Sequence, residues 1–375
     1  MEIDREMMAR ALDLAILGKP FAGSRPAVGA VITKGGRIVG IGFYRGHTSL
    51  HAEAEAILMA GAHARDGTLY VTLEPHCYHG TQPPCTSRII EAGLSRVVIA
   101  GLDPNPKVNG GGVRQLRQAG IQVDVGLMED EAKAINPGHF KCHTTGLPHT
   151  VLKIAITMDG FMADETGKSQ WLSSEESLEM VHSLRGEFCA VAVGAGTVLS
   201  DDPLLTPRKT YAPLPPTRIV LDSSLRIPLS AKVLNPDGRT IVITTTKAPT
   251  DKIKEIEAKG HGVWVMGDNL DMEAILRKAV SEDMNSILFE GGVKLAKGLI
   301  ESPWLDELIV CVSPRYLGKG LSPFGGPFSL ESAPCFNLRE VKRVGNDAWF
   351  RLTKDLNPKE RQSYDTSQKT RTLGK

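Results

Sequence analysis

Short apolar segments typical of buried strands alternate with helical segments along almost the whole chain. In the first part, Val28–Ile32, Thr68–Leu73 and Val97–Ala100 have the apolar, β-branched composition of strands. Between them, His51–Ala64 and Pro84–Ala92 have apolar residues at helical spacing. This alternation constrains the chain more than any other feature, because it predicts a layered α/β fold.

A segment rich in glycine, proline, histidine and threonine, Gly138–His149, interrupts the alternation. After it a larger block opens with the strand Val151–Ile156, passes through a predicted loop at Gly194–Pro207, and continues to the strand Glu307–Val312. We therefore predict two α/β domains, residues 1–145 and 146–356. Residues 357–375 have almost no apolar side chains and are predicted to be disordered.

Charge and composition exclude several classes of protein. Lys+Arg number 44 and Asp+Glu 43 among 375 residues, so the formal net charge of +1 gives no general affinity for nucleic acid or anionic membranes. No apolar run approaches the roughly 20 residues of a membrane span, and the N-terminus lacks the apolar core of a signal peptide. We expect a cytoplasmic protein with small-molecule partners, without nucleic acid or membrane partners. The oligomeric state is open, with a homo-oligomer as one option.

A His-Ala-Glu triplet at positions 51–53 is followed by Glu-Pro-His-Cys at 74–77 and by Pro-Pro-Cys at 83–85. An H-x-E triplet with a later Pro-Cys segment is typical of zinc-dependent nucleobase deaminases. Three protein ligands leave the fourth zinc position for water, whose pKa falls to about 7. His51 and Cys85 are two predicted ligands. Glu53 lies near that water without being a ligand and is the predicted catalytic proton carrier.

Residues 2–353 resemble the bifunctional deaminase–reductases of riboflavin biosynthesis. In the first block the resemblance rests on Val28-Gly29-Ala30-Val31, His51-Ala52-Glu53, Leu73-Glu74-Pro75, Pro83-Pro84-Cys85 and Asp103-Pro104-Asn105-Pro106. It implies a cytidine-deaminase-like three-layer domain. That domain would hydrolyse the amino group of 2,5-diamino-6-(5-phosphoribosylamino)pyrimidin-4-one.

The family pattern has a zinc-binding cysteine where this chain has His76. Alignment without gaps from Gly80 and Cys85 gives His51, His76 and Cys85 as ligands, and a shift by one residue gives Cys77 as the alternative to His76. Four family substrate contacts also differ, and the residues here are Arg25, Tyr44, Tyr78 and Thr81. A reductase with a degenerate deaminase domain is therefore an alternative reading.

The second block resembles the dihydrofolate-reductase-like half of the same family. The matching segments are Met158-Asp159-Gly160, Gly167-Lys168-Ser169-Gln170-Trp171, Gly194-Ala195-Gly196-Thr197, Asp201-Asp202-Pro203 and Glu290-Gly291-Gly292. Independently of the resemblance, two glycines between a strand and a helix let a phosphate approach backbone N–H groups. Lys153 on an apolar strand must be paired or functional, with Asp201 as a candidate partner and a structural ion pair as the alternative.

The resemblance implies that NADPH reduces the ribosyl group to a ribityl chain, although the sequence does not decide between NADPH and NADH. The implied cofactor contacts are Ile156, Trp171, Thr197, Asp201, Ser223, Gly292, Val293, Lys294, Leu295, Ala296, Lys297 and Gly298. The implied substrate contacts are Lys153, Ser169, Arg185, Leu205, Arg208 and Glu290. A nucleic-acid base deaminase or an RNA-binding module is an alternative of another class, which the near-neutral charge and the long second block disfavour.

Overall fold

The computed structural model of the chain describes residues 2–80, 82–169, 172–208, 212–325 and 328–355. The chain divides into two compact units, the first ending at Gly146 and the second beginning at Leu147. Thr81, Trp171 and the predicted tail 357–375 lie outside the described residues.

The first unit contains a five-stranded sheet with the strand order β2-β1-β3-β4-β5. β1 is antiparallel to β2 and β3, whereas β3, β4 and β5 are parallel. The strands are β1 (Gly29–Lys34), β2 (Arg37–Phe43), β3 (Thr68–Val71), β4 (Arg96–Ile99) and β5 (Gln122–Val125).

Helices cover both faces of this sheet. They are α1 (Glu2–Ala22), α2 (Ala52–Ala60, extended by a 3₁₀ turn over Gly61–Ala64), α3 (Cys85–Glu91), α4 (Gly111–Gln118), α5 (Glu129–Ile135) and α6 (Pro137–Thr145). Successive residues of β1 point to opposite faces, as strand geometry requires. Val31 packs in the cluster with α1 and α5, and Ile32 packs in the cluster with α2, α3 and α4. The unit is therefore three-layered.

Gly42 of β2 sets the position of the first turn of α2. A Cβ atom at Gly42 would lie 2.2 Å from the carbonyl oxygen of Ala52, so only glycine lets the helix start approach the strand this closely.

The sequence did not indicate a helix between Gly138 and His149, yet most of that segment belongs to α6. Pro137 stands in the first turn of α6, where its missing N–H costs no hydrogen bond.

The second unit contains a nine-stranded sheet with the order β10-β9-β8-β7-β11-β6-β12-β14-β13. All pairs from β10 to β12 are parallel, and β14 and β13 continue the sheet antiparallel. The strands are β6 (His149–Thr157), β7 (Ala190–Gly194), β8 (Thr217–Leu221), β9 (Thr240–Thr244), β10 (Gly262–Val265), β11 (Ser286–Glu290), β12 (Glu307–Ser313), β13 (Cys335–Val344) and β14 (Asp347–Asp355). The sequence did not indicate β13 and β14. β13 is largely exposed and so lacks the apolar pattern of a buried strand.

The helices of the second unit are α7 (Glu175–Arg185), α8 (Ala195–Asp201), α9 (Thr250–Ala258), α10 (Met272–Ser281) and α11 (Val293–Glu301). Residues of α10 and α11 share a core cluster with Leu152 of β6, and residues of α7 and α9 share the other cluster with Val151. The prediction of a loop over Gly194–Pro207 was wrong for its first half. There, Ala195 and Val198 bury one face of α8.

Within the described ranges, no helix combines the length and hydropathy required to cross a bilayer.

Candidate functional site

Three side chains of the first unit converge with the spacing of a metal site. The ligand atoms of His51, His76 and Cys85 all lie within 4.8 Å of one another. His51 Nδ1 is 3.4 Å from Cys85 Sγ, and the rings of His51 and His76 are 4.7 Å apart between centroids. The structure thus brings together residues that are up to 34 positions apart in the chain.

Local structure explains how each of the three residues reaches this point. His51 is the N-cap of α2 and has extended backbone angles, φ −67° and ψ 156°. Cys85 is the first residue of α3, directly after Pro84. His76 lies in the loop that follows the carboxyl end of β3. Two helix starts and one strand end therefore meet at the site.

The donor set fits zinc. Zinc ligands at about 2.1 Å for nitrogen and 2.3 Å for sulfur stand about 3.6 Å apart in a tetrahedral site, close to the observed separation of His51 and Cys85. His76 Nδ1 is buried and has no hydrogen-bond partner among the described residues, as expected of an atom that ligates a metal.

Burial keeps both imidazoles in the neutral form that binds metals. It lowers the pKa of His51 to about 4, with further contributions from His76 and Arg25, and it also lowers the pKa of His76. Burial and the neighbouring Glu53 raise the pKa of the Cys85 thiol well above its ordinary value. The thiol must therefore release its proton when a cation binds.

The Cys77 side chain points to a different place. Its Sγ is 3.8 Å from the carbonyl oxygen of Lys107, and a Cβ atom on Gly111 would come within 2.8 Å of it. Cys77 does not belong to the group formed by His51, His76 and Cys85. Of the two alternatives left open by the sequence, this geometry favours His76.

Glu53 lies beside the three ligands, on the first turn of α2. It is only 4% exposed, and burial raises the pKa of its carboxyl. A carboxyl group whose pKa is shifted toward neutrality can accept a proton and return it within one catalytic cycle.

Two further acidic residues organise the loop behind the ligands. The Glu74 carboxylate accepts hydrogen bonds from the backbone N–H groups of Asp103 (3.3 Å), Gly110 (2.9 Å) and Val113 (3.1 Å). Asp103 Oδ1 in turn lies 2.9 Å from His139 Nε2, and both side chains are buried. Sequence reasoning gave these residues no role. The available signal was an acidic residue in the loop that follows a buried strand, Glu74 after β3 and Asp103 after β4.

The residues that depart from the family pattern border the same site. The Tyr44 ring meets His51 edge-on at 5.9 Å, and the Tyr78 ring meets His76 at 5.8 Å. The exposed Arg25 lies close enough to His51 to lower its pKa further.

In the second unit, predicted cofactor contacts lie at one edge of the sheet. Ile156 is near the carboxyl end of β6, Thr197 follows β7, Ser223 follows β8 and Gly292 follows β11. These four strands are neighbours in the order β8-β7-β11-β6. Ligands of open α/β sheets bind in the crevice at such carboxyl ends.

Gly292 lies against Thr197 where two of these strands end. A Cβ atom at Gly292 would be 3.3 Å from Thr197 Oγ1, and no side chain caps the N-terminus of α11. The first N–H groups of this helix therefore lack a side-chain acceptor, and the missing Cβ leaves room for a phosphate, so the site fits a dinucleotide cofactor.

The predicted contacts beyond Gly292 form α11. Ala296 is fully buried, whereas Lys294, Lys297 and Gly298 are exposed; Val293 and Leu295 are intermediate. Asp201 is exposed at the end of α8.

A charged cluster lies beside this edge. Arg185 of α7 holds Glu290 in a bidentate pair, with Nε to Oε1 at 2.6 Å and Nη2 to Oε2 at 2.7 Å. Lys153 is the register partner of Glu290 on the adjacent strand. Burial lowers the pKa of the Lys153 amine, and Glu290 opposes that shift. The expected partner Asp201 is not among the charged groups that act most on Lys153, which include Glu290 and Asp347.

The remaining predicted substrate contacts lie around the loop after α8. Leu205 is 1% exposed and has a φ of 58°, a left-handed conformation that costs a non-glycine residue energy. Arg208 is exposed, and Ser169 is half-buried. Sequence reasoning missed His182, whose pKa is lowered by burial and by both Arg185 and Arg208.

The sequence also gave no indication of a buried polar group next to Lys153. Trp349 Nε1 donates a hydrogen bond to Ser177 Oγ at 2.8 Å, and that oxygen lies 3.7 Å from Cys311 Sγ. The Trp349 ring is 5.7 Å from Lys153 Nζ. No sequence motif marks this group.

Two family models match the chain. The model described as the cytidine and deoxycytidylate deaminase zinc-binding region matches residues 1–101, and the RibD C-terminal domain matches residues 148–350. Riboflavin biosynthesis protein RibD of Aquifex aeolicus (strain VF5) is 41% identical over 348 residues, which cover 92% of this chain and 97% of the relative. That of Escherichia coli (strain K12) is 38% identical over 370 residues, which cover 93% and 99%. The chain belongs to the RibD family.

Solved structures agree with this assignment. Acinetobacter baumannii RibD superposes with a TM-score of 0.88 at 32% identity, covering 94% of this chain and 99% of the other. The Thermotoga maritima diaminohydroxyphosphoribosylaminopyrimidine deaminase/5-amino-6-(5-phosphoribosylamino)uracil reductase has a TM-score of 0.84 at 34% identity with the same coverage.

The family, the fold class, the bifunctional activity and the cofactors predicted from the sequence are therefore confirmed. The chain is a deaminase and reductase of riboflavin biosynthesis that uses zinc and NADPH.

Proposed function

We propose that His51, His76 and Cys85 hold the zinc ion, that Glu53 is the catalytic proton carrier of the deaminase, and that Lys153, Arg185 and Glu290 serve the reductase. The observation that carries this proposal is the convergence of three ligand atoms within 4.8 Å beside a buried carboxyl. The proposed domain limits are 1–145 for the deaminase and 146–356 for the reductase.

Deamination consumes one water molecule, forms a C–O bond at the ring carbon, and breaks the C–N bond to release ammonia. Zinc, when bound, supplies a Lewis-acidic centre that activates the water at neutral pH. Glu53 accepts a proton from the water and delivers it to the departing amino group. Its raised pKa suits both transfers, because the carboxyl holds the proton without binding it irreversibly.

Reduction adds one hydride to the ribosyl C1′ and one proton to the ring oxygen that leaves this carbon. NADPH, when bound, supplies the hydride. Lys153 donates the proton to the departing ring oxygen, because burial lowers the pKa of its amine and eases proton release. Arg185 fixes the Glu290 carboxylate in one orientation beside Lys153. The exposed Arg208 is available to the substrate phosphate together with Leu205 and Ser169.

The cofactor binds along the carboxyl edge of the second sheet. Its phosphates contact Gly292, Val293 and the N-terminal turn of α11, while Thr197 and Ser223 bind the neighbouring sugar and phosphate groups. The other proposed cofactor contacts are Ile156, Trp171, Asp201 and the exposed α11 residues Lys294, Lys297 and Gly298. Leu295 and Ala296 support the helix. Titration with NADPH and NADH would measure the preference between the two.

The setting of the enzyme is also part of the proposal. We place it in the cytoplasm, acting on small molecules without nucleic acid, since its net charge is +1 and its six cysteines are all free thiols. A homo-oligomer is the proposed assembly. Light scattering that returns a mass of 40.5 kDa at working concentration would refute it.

Zinc stoichiometry tests the ligand set. The parent protein is expected to contain about one zinc per chain, His76→Ala to lose it, and His76→Cys to retain it, because thiolate and imidazole both suit zinc. Cys77→Ala is the matched control and is expected to keep the metal. Elemental analysis of the purified proteins measures all four.

Retention of zinc by His76→Ala together with its loss from Cys77→Ala would overturn the assignment in favour of the shifted site. A parent protein that binds zinc but releases no ammonia from the diaminopyrimidine would instead refute the proposed role of this centre in deamination.

A further inference from the structure

Arg25 is an exposed residue of a loop whose flanking residues, Ala22 and Ala27, pack with Tyr44, and the Tyr44 ring meets His51 of the proposed zinc centre. Arg25 belongs to the loop between α1 and β1, and within the described residues it forms no ion pair. A long cationic side chain without a carboxylate partner is available to an anion from solution.

The backbone on both sides of Arg25 is fixed. The Arg25 N–H donates to the carbonyl oxygen of Ala22 at 3.0 Å. The Asn136 amide clamps Ala27, accepting from its N–H and donating to its carbonyl oxygen, both at 2.8 Å. The Tyr44 N–H donates to the carbonyl oxygen of Val28 at 3.0 Å. Arg25 is therefore presented from a rigid loop, which lowers the entropy cost of binding through it.

Tyr44 connects this loop to the zinc centre. Its ring is 5% exposed and packs in one cluster with Ala22 and Ala27, the residues that flank Arg25. The same ring meets the His51 ring edge-on at 5.9 Å. Arg25 also acts on the pKa of both neighbours, opposing the rise that burial causes in Tyr44 and adding to the lowering in His51.

Two of the other charged groups in this part of the unit are paired within the protein, and Arg88 is the remaining guanidinium to compare with Arg25. Arg45 is paired with Glu55, and Asp103 is paired with His139. Arg88 of α3 is the second guanidinium whose charge reaches His51, and it acts on His76 and Cys85 as well. Arg88 follows Cys85 by one helical turn, whereas Arg25 approaches through Tyr44 from another part of the unit.

The substrate brings a group that needs such a cation. A phosphoribosylaminopyrimidine carries a phosphate, which is bound most strongly by charge-assisted, bidentate donors such as arginine. Thr81, which precedes Cys85 in the sequence, supplies no positive charge.

We propose that Arg25 binds the phosphate of the deaminase substrate and that Tyr44 is the positioning residue that holds Arg25 beside the zinc centre. This inference rests on the proposed function of that centre. It makes Arg25 a determinant of specificity for phosphorylated over dephosphorylated diaminopyrimidine.

The test compares the phosphorylated substrate with its dephosphorylated riboside. Ammonia release without NADPH is expected to show, for Arg25→Gln, a KM at least roughly 10-fold higher for the phosphorylated compound, because a charge-assisted contact is lost. The KM for the riboside and the kcat for both compounds are expected to change little. Arg25→Lys is expected to keep part of the preference, and Tyr44→Leu to lose part of it.

Binding without turnover provides the second readout. In a Glu53→Gln background, calorimetry is expected to show the same loss of affinity on Arg25→Gln for the phosphorylated compound alone. Arg37→Gln, which removes an equal charge from the exposed first residue of β2, is the matched control and is expected to change the KM and affinity for neither compound. NADPH-dependent reduction of the deaminated phosphorylated intermediate is expected to be unaffected by Arg25→Gln.

Three outcomes would overturn the proposal. They are no change on Arg25→Gln, an equal loss for both compounds, or a loss of phosphate preference in Arg88→Gln but not in Arg25→Gln. A parent protein without ammonia release would refute the proposed deaminase centre instead, and the binding comparison would still decide the role of Arg25.

Discussion

The two sites of this chain handle charge in opposite ways. In the first unit, burial favours the neutral forms of two half-buried imidazoles and one buried thiol, and Arg25 in the neighbouring loop has no ion-pair partner among the described residues. In the second unit, Arg185 and Glu290 already neutralise each other beside Lys153. The first site offers neutral donor atoms and a cationic side chain to charged ligands, whereas the second balances its charge within the protein.

This difference explains where each site tolerates substitution. A zinc ion requires donor atoms at fixed distances, and nitrogen or sulfur satisfies that requirement, so either an imidazole or a thiolate would suit the proposed ligand position of His76. The Arg185–Glu290 pair requires two parallel hydrogen bonds of defined geometry, which other residue types do not reproduce.

Glu53→Gln provides the largest expected effect and separates the two sites. Ammonia release is expected to fall by roughly 10²- to 10⁴-fold, because the amide cannot carry the proton from water to the leaving group. Zinc content and NADPH-dependent reduction are expected to remain at parental values. Parallel assays of ammonia release, NADPH oxidation and bound zinc measure the three quantities.

Glu55→Gln is the matched control on the same helix, since Glu55 pairs with Arg45, accepts a hydrogen bond from the Phe43 N–H and is not one of the three grouped ligands. It is expected to leave ammonia release unchanged. Loss of both activities in Glu53→Gln would contradict the division of labour between the two units.

Glu290→Gln tests the internally balanced site. It leaves Arg185 and Lys153 without their counter-charge, and breaking such a pair costs about 3–5 kcal/mol in the free energy of unfolding. We expect the second unit to melt at lower temperature and reduction to be lost, while zinc content and ammonia release persist. Calorimetry and the two activity assays measure these changes.

Glu301→Gln is the control for charge alone, because its pair with Lys297, at 4.0 Å, is partly exposed. It is expected to change the free energy of unfolding by less than about 0.5 kcal/mol. Equal destabilisation by the two substitutions would show that the Arg185–Glu290 geometry has no special role.

The pH dependence of the zinc-free protein is expected to differ between the units. The pKa of His51 is about 4 in the folded state and 6.5 in the unfolded chain. Between these values the unfolded chain binds more protons, so acidification lowers the stability of the first unit. In the second unit the pKa of Glu307 is about 2 instead of 4.5, so its stabilising contribution is lost only as pH falls below 4.5.

Thermal melts of the zinc-free protein between pH 7 and pH 4 measure this difference. Glu53 has the opposite effect on stability, because burial raises the pKa of its carboxyl and the folded protein therefore binds this proton more readily than the unfolded chain. The parent is therefore compared with His51→Asn, in which Glu53 is unchanged. The variant is expected to lose less stability on acidification than the parent. An identical pH dependence of the two proteins would contradict the assigned role of His51.

Much of the fold could be predicted because local pattern and packing agree. The parallel strands β4, β6 and β12 are runs of mostly apolar residues, and their burial follows from the sequence. The prediction failed where the pattern was weak. Most of β13 is exposed and polar, and α9 has a single fully buried residue, Ile256, so neither carries a clear periodic signal.

The sequence by itself determined the chemistry that the protein can perform. The residue types and spacing around His51, Glu53 and Cys85 indicated a zinc deaminase, and the Gly-Gly segment after Glu290 indicated a phosphate cradle. Each of these motifs is a short segment of sequence, because a ligand at a helix start or a glycine at a strand end depends on its immediate neighbours in the chain.

Only the tertiary structure decided which distant residues meet. His76 and Cys77 are adjacent in the chain, but the loop after β3 directs the first to the ligand group and the second toward Lys107. Likewise, Lys153 faces Glu290 because β6 and β11 are neighbours in the sheet, and Asp201 remains exposed on α8. Side-chain direction and strand order depend on packing between segments far apart in sequence, which no local pattern records.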